Sequence, residues 1–283
     1  MRILILGASG MLGNAMLRIM SERNDWAVYG TLRSHNPALK ALAPKAELLT
    51  GIYANQPDSL ITAFTKSSPQ VVINCVGLVK QLTSADDPLE SIPINALLPH
   101  RLARLCELAQ ARLIHISTDC VFSGNQGNYR ESDIPDAEDL YGRSKLLGEV
   151  NGPHVVTLRT SIIGHELSSA HGLIGWFLSQ QKAVKGYTQA IFSGLPTCEL
   201  ARAVCNYVIP NKDLHGLYHV GTEPVSKYDL LQLVNRVYGK MLQIEPDHML
   251  KINRSLDSSR FKHATGYVTR TWPELIRQMR EFR

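Results

Sequence analysis

The sequence predicts an α/β fold in which a doubly wound parallel sheet is followed by a smaller C-terminal lobe. Short apolar runs typical of buried strands alternate with helical segments through the first half of the chain. This alternation indicates parallel strands that are covered by helices on both faces. After about Thr160 the alternation becomes irregular. We therefore expect a core over residues 1–160 and a second lobe over residues 161–283, with some helices of the lobe returning to the core.

The strands are predicted from seven short segments that carry apolar or β-branched residues. The clearest is residues 70–76, which read Gln-Val-Val-Ile-Asn-Cys-Val. The first segment is apolar but only five residues long, and it runs directly into a glycine motif. It therefore predicts a strand rather than a signal peptide. In chain order the predicted strands are 2–6, 26–32, 47–51, 70–76, 112–117, 154–159 and 216–220.

The helices are predicted from segments with apolar residues at spacings of three and four. Residues 88–110 form the longest of these segments, and residues 11–21 follow the glycine motif directly. No internal repeat or low-complexity linker interrupts them. In chain order the predicted helices are 11–21, 58–65, 88–110, 141–150, 172–182, 198–208, 227–237 and 272–282.

The composition of the 283 residues is that of a globular protein, with 44% hydrophobic residues, 19% charged residues and a net charge of +5. No run of Lys and Arg indicates nucleic-acid binding, and no apolar run approaches the roughly 18 residues of a membrane-spanning helix. The cysteines are odd in number and form no CxxC pair, which favours a reducing, cytoplasmic location. The histidines lack metal-ligand spacing, so we expect no catalytic metal.

A glycine motif, Gly-x-x-Gly-x-x-Gly, lies between the first predicted strand and the first predicted helix. Small residues let the backbone turn tightly and approach a pyrophosphate, and the helix N-terminus supplies N–H groups and a partial positive charge. This position is typical of a Rossmann-like dinucleotide site. The candidate contacts of the cofactor here are Gly7, Ser9, Gly10, Met11, Leu12 and Gly13.

The residues after the second strand indicate which dinucleotide binds. An NAD site usually places a carboxylate there, but this chain reads Thr31-Leu32-Arg33 with no acidic residue. Because Arg33 can pair with a 2′-phosphate, we expect NADP(H) in preference to NAD(H). Asn74 and Gly77, at the end of the fourth strand, are candidates for the nicotinamide ribose end, and Asn95 is a further polar candidate in the next helix.

A Tyr-x-x-x-Lys spacing places Tyr141 and Lys145 on one face of a helix. A protonated lysine can donate hydrogen bonds to a ribose and lower the pKa of a nearby tyrosine. Such a tyrosine can deliver a proton to a carbonyl oxygen. Thr118 follows the strand 112–117 at the carboxyl end of the sheet, where its hydroxyl can bond the same oxygen.

With these motifs in this order, the sequence resembles the extended short-chain dehydrogenase/reductases, and within them the dTDP-4-dehydrorhamnose reductase family. The resemblance implies hydride transfer from a nicotinamide to C4 of a 4-keto nucleotide sugar. It places Thr118, Tyr141 and Lys145 on the family's catalytic positions and the three glycines on its phosphate loop. The motifs are GASGMLG (7–13), STDCVFSG (117–124), YGRSKLLGE (141–149), LRTSIIG (158–164) and NRSLDSSRF (253–261).

The chain departs from that family near the substrate. Cys120 stands where an aromatic residue is common, and the segment around Arg254 lacks the usual proline and Asn-Ser pair. Cys120 has the offset of a cysteine in the related GDP-fucose synthase, where a cysteine and a distant histidine epimerise the sugar before reduction. His171 is the candidate partner. Four cations could meet a diphosphate, although a solvated or salt-bridged role is the more common one for such residues: Lys80, Arg159, Lys185 and Arg254.

Three alternatives to a plain reductase stay open from the sequence. The first is a bifunctional epimerase-reductase or an epimerase of nucleotide sugars. The second, a dehydratase, is disfavoured because the family's Asp-Glu pair is Asp119-Cys120 here. The third is a non-catalytic NADP-binding subunit resembling the regulatory subunit of methionine adenosyltransferase. A homodimer is also possible.

Overall fold

The computed structural model describes residues 1–78, 86–167 and 169–283. Its centre is a seven-stranded sheet in which every neighbouring pair of strands is parallel. Numbered along the chain, the strands of this sheet and of two smaller sheets are β1 (Arg2–Leu6), β2 (Ala27–Thr31), β3 (Glu47–Leu49), β4 (Val71–Asn74), β5 (Arg112–Thr118), β6 (Val155–Thr160), β7 (Ile162–Ile163), β8 (Val184–Phe192), β9 (Leu195–Pro196), β10 (Gly216–His219), β11 (Val225–Ser226) and β12 (Ile244–Asn253).

Helices cover this sheet, as the alternating pattern predicts. The helical stretch 88–108 contains a π-helical segment, Ile92–Leu97, between two α-helices, and a second π-helical segment, Val204–Val208, extends another helix. The α-helices are α1 (Met11–Ser21), α2 (Pro37–Leu42), α3 (Pro57–Ser67), α4 (Pro88–Ser91), α5 (Leu98–Leu108), α6 (Leu140–Leu147), α7 (Leu173–Ser179), α8 (Thr197–Ala203), α9 (Lys227–Tyr238), α10 (Ser259–Thr265) and α11 (Trp272–Glu281).

The strand order of the central sheet is β3-β2-β1-β4-β5-β6-β10, which confirms the predicted doubly wound architecture. The chain moves outward from β1 through β3 and then crosses back to β4, so the order reverses between β1 and β4. In such sheets a crevice opens at the carboxyl ends of the strands on either side of the reversal. Leu6 and Asn74, the last residues of those two strands, are register partners at this crevice.

Continuous apolar strands form the core because both faces of the sheet are covered. In β1, Ile3 and Ile5 belong to one buried cluster and Leu4 and Leu6 to the cluster on the opposite face. All four side chains are at most 1% exposed. The sheet is therefore a rigid support for the loops at its carboxyl end.

The part of the chain after residue 160 contributes both to a separate small sheet and to the central sheet with its helices. Its strands form a small sheet in the order β11-β8-β12, whereas β10 pairs with β6 in the central sheet and α8 packs against α1. The expected return of some later helices to the core stays a prediction. A functional division at residue 160 stays a prediction.

Two long strands, β8 and β12, were not predicted from the sequence. β12 reads Ile-Glu-Pro-Asp-His-Met-Leu-Lys-Ile-Asn and is largely exposed, so it carries no apolar run and no clear alternation. The short helices α2 and α10 were also missed. None of the helices in the described ranges is long and apolar enough to cross a membrane.

Candidate functional site

The glycine motif forms a tight turn between β1 and α1. Gly7 has a φ of +76°, in the left-handed region that favours glycine, and its carbonyl oxygen accepts a hydrogen bond from Gly10 N at 3.0 Å. Gly10 occupies the N-cap position of α1 without a side-chain cap. A Cβ at Gly13 would overlap the carbonyl oxygen of Gly7, so the helix start packs directly on the turn. This cradle suits a pyrophosphate at the helix N-terminus.

We expect Gly13→Ala to destabilise the protein by about 1–3 kcal/mol, because its methyl group must displace the backbone of Gly7. The same displacement should weaken dinucleotide binding. Urea unfolding and a cofactor titration would measure both effects. Gly152→Ala is a matched control, since a Cβ there meets its nearest atom at an ordinary 3.5 Å. Equal stability of the two variants would contradict the close approach.

The end of β2 lies beside this turn. Thr31 accepts hydrogen bonds from Gly7 N through its hydroxyl at 3.2 Å and from Ala8 N through its carbonyl at 3.1 Å. Arg33 follows two residues later and is exposed, so its guanidinium is accessible next to the cradle. Ser9 is exposed, whereas the Leu12 side chain is 6% exposed and belongs to the core.

The end of β4 brings Gly77 close to Lys145. A Cβ on Gly77 would lie 3.9 Å from Lys145 Nζ and 3.5 Å from Asn95 Oδ1. The Asn74 side chain is buried instead, with Nδ2 bonded to His115 Nδ1 at 3.1 Å and Oδ1 accepting from Val76 N at 3.1 Å. Asn74 thus shapes the end of the strand through its side chain.

Thr118, Tyr141 and Lys145 meet at the carboxyl end of β5. Tyr141 lies beside Thr118. The Thr118 hydroxyl accepts a bond from Cys120 N at 3.1 Å and donates one to Asp119 Oδ1 at 3.2 Å. One turn further along α6, Lys145 Nζ donates to the carbonyl oxygen of Ile116 at 2.8 Å. α6 is held here because Asp139 caps its N-terminus by accepting from Gly142 N at 2.7 Å.

Burial sets the protonation of these groups. It raises the pKa of Tyr141 above its ordinary value, and the neighbouring Cys120 and Asp119 raise it further, while the hydrogen bond from Thr118 lowers it. The expectation that Lys145 lowers the pKa of Tyr141 is therefore wrong for this structure, because desolvation dominates. Burial also lowers the pKa of Lys145 to about 8. Tyr141 is consequently protonated across the neutral range, the state that a proton donor requires.

Cys120 and Arg254 come together beside this cluster. Arg254 Nη1 lies 3.8 Å from Cys120 Sγ, and its Nε donates to the carbonyl oxygen of Phe122 at 2.7 Å. Asp119 is 7% exposed, and burial raises its pKa although Arg254 opposes this shift. The residue after β12 thus borders the turn that carries Thr118.

The other predicted substrate residues are dispersed. His171 is exposed in the segment before α7, so its pairing with Cys120 stays a prediction. Arg159 is buried in an ion pair with Glu149, and Lys185 pairs with Asp247 at 3.7 Å; these contacts favour the salt-bridged alternative for both cations. Lys80 lies outside the described residues. Within those residues, no group of three or more potential ligands could hold a metal ion.

Sequence reasoning missed Glu149, which lies two residues after the end of α6 and bonds residues of β5 and β6. The signal was present as a third residue at four-residue spacing after Tyr141 and Lys145. A glutamate near a helix end is ordinarily a solvated residue, so the spacing alone did not mark it.

The model of the RmlD substrate binding domain matches residues 1–281 of this chain. Methionine adenosyltransferase 2 subunit beta of Xenopus laevis is 33% identical over 250 residues, which cover 81% of this chain and 70% of that protein. The probable low-salt glycan biosynthesis reductase Agl14 of Haloferax volcanii is 29% identical over 178 residues, covering 61% of this chain and 57% of the relative. The chain spans less than two thirds of the length of several curated relatives that it matches, and only 41% of five of them.

The fold is also that of solved structures. A dTDP-4-dehydrorhamnose reductase from Bacillus anthracis, solved in complex with NADP, superposes with a TM-score of 0.80. The superposition covers 99% of this chain and 98% of the reductase chain, and the two sequences are 19% identical. At this identity the likeness shows the shared fold, a Rossmann-like parallel sheet flanked by helices.

Proposed function

The chain belongs to the RmlD substrate binding domain family, and on this basis we propose that it is an NADP(H)-dependent oxidoreductase that reduces a 4-keto nucleotide sugar. The observation that carries the proposal is the meeting of three groups at the carboxyl end of β5: Lys145 Nζ bonds the carbonyl oxygen of Ile116 at 2.8 Å, and Tyr141, one turn earlier on α6, lies beside Thr118. The relatives support it: Agl14 is named as a probable reductase of glycan biosynthesis, and the Bacillus anthracis reductase was solved with NADP.

The chain fits the dinucleotide that this chemistry needs. The turn at Gly7 and the backbone contact at Gly13 leave room for a pyrophosphate at the start of α1, and Arg33 is accessible for a 2′-phosphate. Gly77 presents backbone next to Lys145, where a ribose would be held. When bound, the nicotinamide supplies the hydride equivalent that reduces the carbonyl carbon.

The residues of the chain supply the proton and the orientation. Thr118 and Tyr141 lie side by side, so a substrate carbonyl oxygen could accept a hydrogen bond from each once the Thr118 hydroxyl turns from Asp119 Oδ1, to which it donates at 3.2 Å. Tyr141 then transfers its proton to that oxygen as charge develops on it. Lys145, when protonated, can donate hydrogen bonds to the cofactor ribose. Cys120 and Arg254 border the same point and would contact the sugar.

Arg33→Ala should weaken NADPH binding by about tenfold to a hundredfold, because one charge-assisted contact contributes roughly 1.5–3 kcal/mol. NADH binding should be nearly unchanged, since NADH lacks the 2′-phosphate. Fluorescence titration of both cofactors against both proteins would measure the difference. Arg277→Ala, an exposed arginine on α11, is the control and should leave both affinities unchanged. Equal affinities of the wild-type protein for NADPH and NADH would contradict the assignment.

A second candidate function is that of a non-catalytic NADP-binding subunit. The specific observation in its favour is the 33% identity with methionine adenosyltransferase 2 subunit beta of Xenopus laevis. An intact set of Thr118, Tyr141 and Lys145 is compatible with either function.

Turnover separates the two candidates. Purified protein is incubated with NADPH and dTDP-4-dehydrorhamnose, and loss of absorbance at the nicotinamide band is followed together with the sugar product. Steady consumption that requires the keto sugar supports the reductase. Tight NADPH binding without consumption, across dTDP-, UDP- and GDP-linked keto sugars, would favour the subunit. A cytoplasmic location and a homodimer stay predictions.

A further inference from the structure

Glu149 lies at the junction between the helix that carries Tyr141 and Lys145 and the two strands beneath it. Its Oε1 accepts hydrogen bonds from Ser117 Oγ and from Arg159 Nε, both at 2.7 Å, and its Oε2 accepts one from Arg159 Nη2 at 2.7 Å. Ser117 and Arg159 are register partners on β5 and β6. One carboxylate therefore fastens the end of α6 to both strands, directly before Thr118.

This ion pair is buried. The Arg159 side chain is 4% exposed and that of Glu149 12%, and the pair has the two-bond geometry of a guanidinium on a carboxylate. Removing two charges from water is costly, and such a pair often stabilises a fold no better than apolar residues would. Because the pair lies next to the proposed active site, a role in orienting α6 and the ends of β5 and β6 explains it better than a gain in stability alone.

The far side of Arg159 reaches the loop that borders the substrate. Its Nη1 lies 3.3 Å from His219 Nε2, and its guanidinium lies over the Phe122 ring at 5.2 Å. Phe122 stacks on Tyr129 with ring centroids 4.1 Å apart, and its carbonyl oxygen accepts the bond from Arg254. The pair thus connects the helix of Lys145 to the turn that carries Cys120.

The charged groups around Lys145 also single out Glu149, because its carboxylate favours the protonated form of the lysine. Among the residues that the structure describes, the titratable groups that interact with Lys145 from neighbouring elements are Cys75, after β4, and His115, on β5. Burial raises the pKa of Cys75 to about 12 and lowers that of His115 well below its usual range, so both are neutral near pH 7. Glu149 is the group that most opposes the effect of burial on the pKa of Lys145.

We propose that Glu149 is a positioning residue for the active site: held by Arg159 and Ser117, it fixes the end of α6 and keeps the Lys145 ammonium charged where the cofactor ribose binds. This inference rests on the proposed function for the identity of the ligand. Glu149 itself acts through Lys145, and it needs no contact with the cofactor or the substrate.

The test is the pH dependence of the NADPH dissociation constant between pH 7 and 10, measured by fluorescence in the wild-type protein and in Glu149→Gln. The pKa of Lys145 is about 8, so its charge, and with it NADPH affinity, is present at lower pH and lost as pH rises through that value. Glutamine keeps the size and the acceptor for Ser117 but removes the negative charge. We expect the loss of affinity in the variant to occur about one pH unit lower.

Glu199→Gln is the matched control, because Glu199 is also a buried carboxylate paired with an arginine, Arg270, at 3.1 Å, but it lies on α8. It should lower stability without moving the pH profile. If the Glu149→Gln profile coincides with that of the wild type, or if Glu199→Gln shifts by the same amount, the inference is wrong. A wild-type protein that binds no NADPH would instead refute the proposed function.

Should Glu149→Gln fail to fold, Ser117→Ala removes a single hydrogen bond from the carboxylate and keeps both charges. We expect it to fold, to keep the wild-type pH profile and to bind NADPH about threefold to tenfold more weakly, because the carboxylate loses one of its bonds. Unchanged affinity in Ser117→Ala would then contradict the positioning role.

Discussion

Replacing Tyr141 with phenylalanine should lower the rate of keto-sugar reduction by about 10²–10⁴-fold, because the variant retains the ring but cannot donate a proton. Burial raises the pKa of Tyr141, so the wild-type hydroxyl is fully protonated at neutral pH and the variant loses the acid form entirely. Single-turnover measurements with NADPH and dTDP-4-dehydrorhamnose would give the rate of the chemical step. The NADPH dissociation constant should change by less than threefold, since the ring and its packing remain.

Tyr267→Phe is the control for this prediction. Its hydroxyl is also buried and donates to Glu199 Oε1 at 3.0 Å, but it lies after α10, away from Thr118. This variant should lose stability and keep its rate. If Tyr141→Phe reduces the keto sugar at a near-normal rate, the proton comes from another group.

Arg159→Met should reduce the free energy of unfolding by about 3–5 kcal/mol, because it leaves the Glu149 carboxylate buried without its partner. Urea unfolding followed by circular dichroism would measure the change. Adding Glu149→Leu to the Arg159→Met variant should recover much of the loss, since an apolar pair of similar volume removes the unpaired charge.

An exposed ion pair provides the comparison for Arg159. Arg104 and Glu107 are 3.0 Å apart on α5, with side chains that are 84% and 58% exposed, so Arg104→Met should cost less than about 1 kcal/mol. A loss below this value in Arg159→Met would mean that water reaches Glu149 and that the pair is not truly desolvated.

Local sequence signals were sufficient for the central sheet and for the proposed catalytic set. A strand buried on both faces is apolar along most of its length, so β1 and β4 can be predicted from their composition alone. The Gly7 turn and the four-residue spacing of Tyr141 and Lys145 are likewise properties of adjacent residues. For that reason these features could be predicted without knowing how distant segments pack.

Only the tertiary structure decided which distant groups meet and what environment they share. The sequence left Arg159 as a candidate for a diphosphate, yet folding places it against Glu149, and it brings Arg254 to Cys120 across 134 positions. It also reverses the expected lowering of the Tyr141 pKa, because burial disfavours the phenolate and raises that pKa instead. Desolvation and long-range pairing depend on which surfaces come into contact, and a linear pattern does not contain that information.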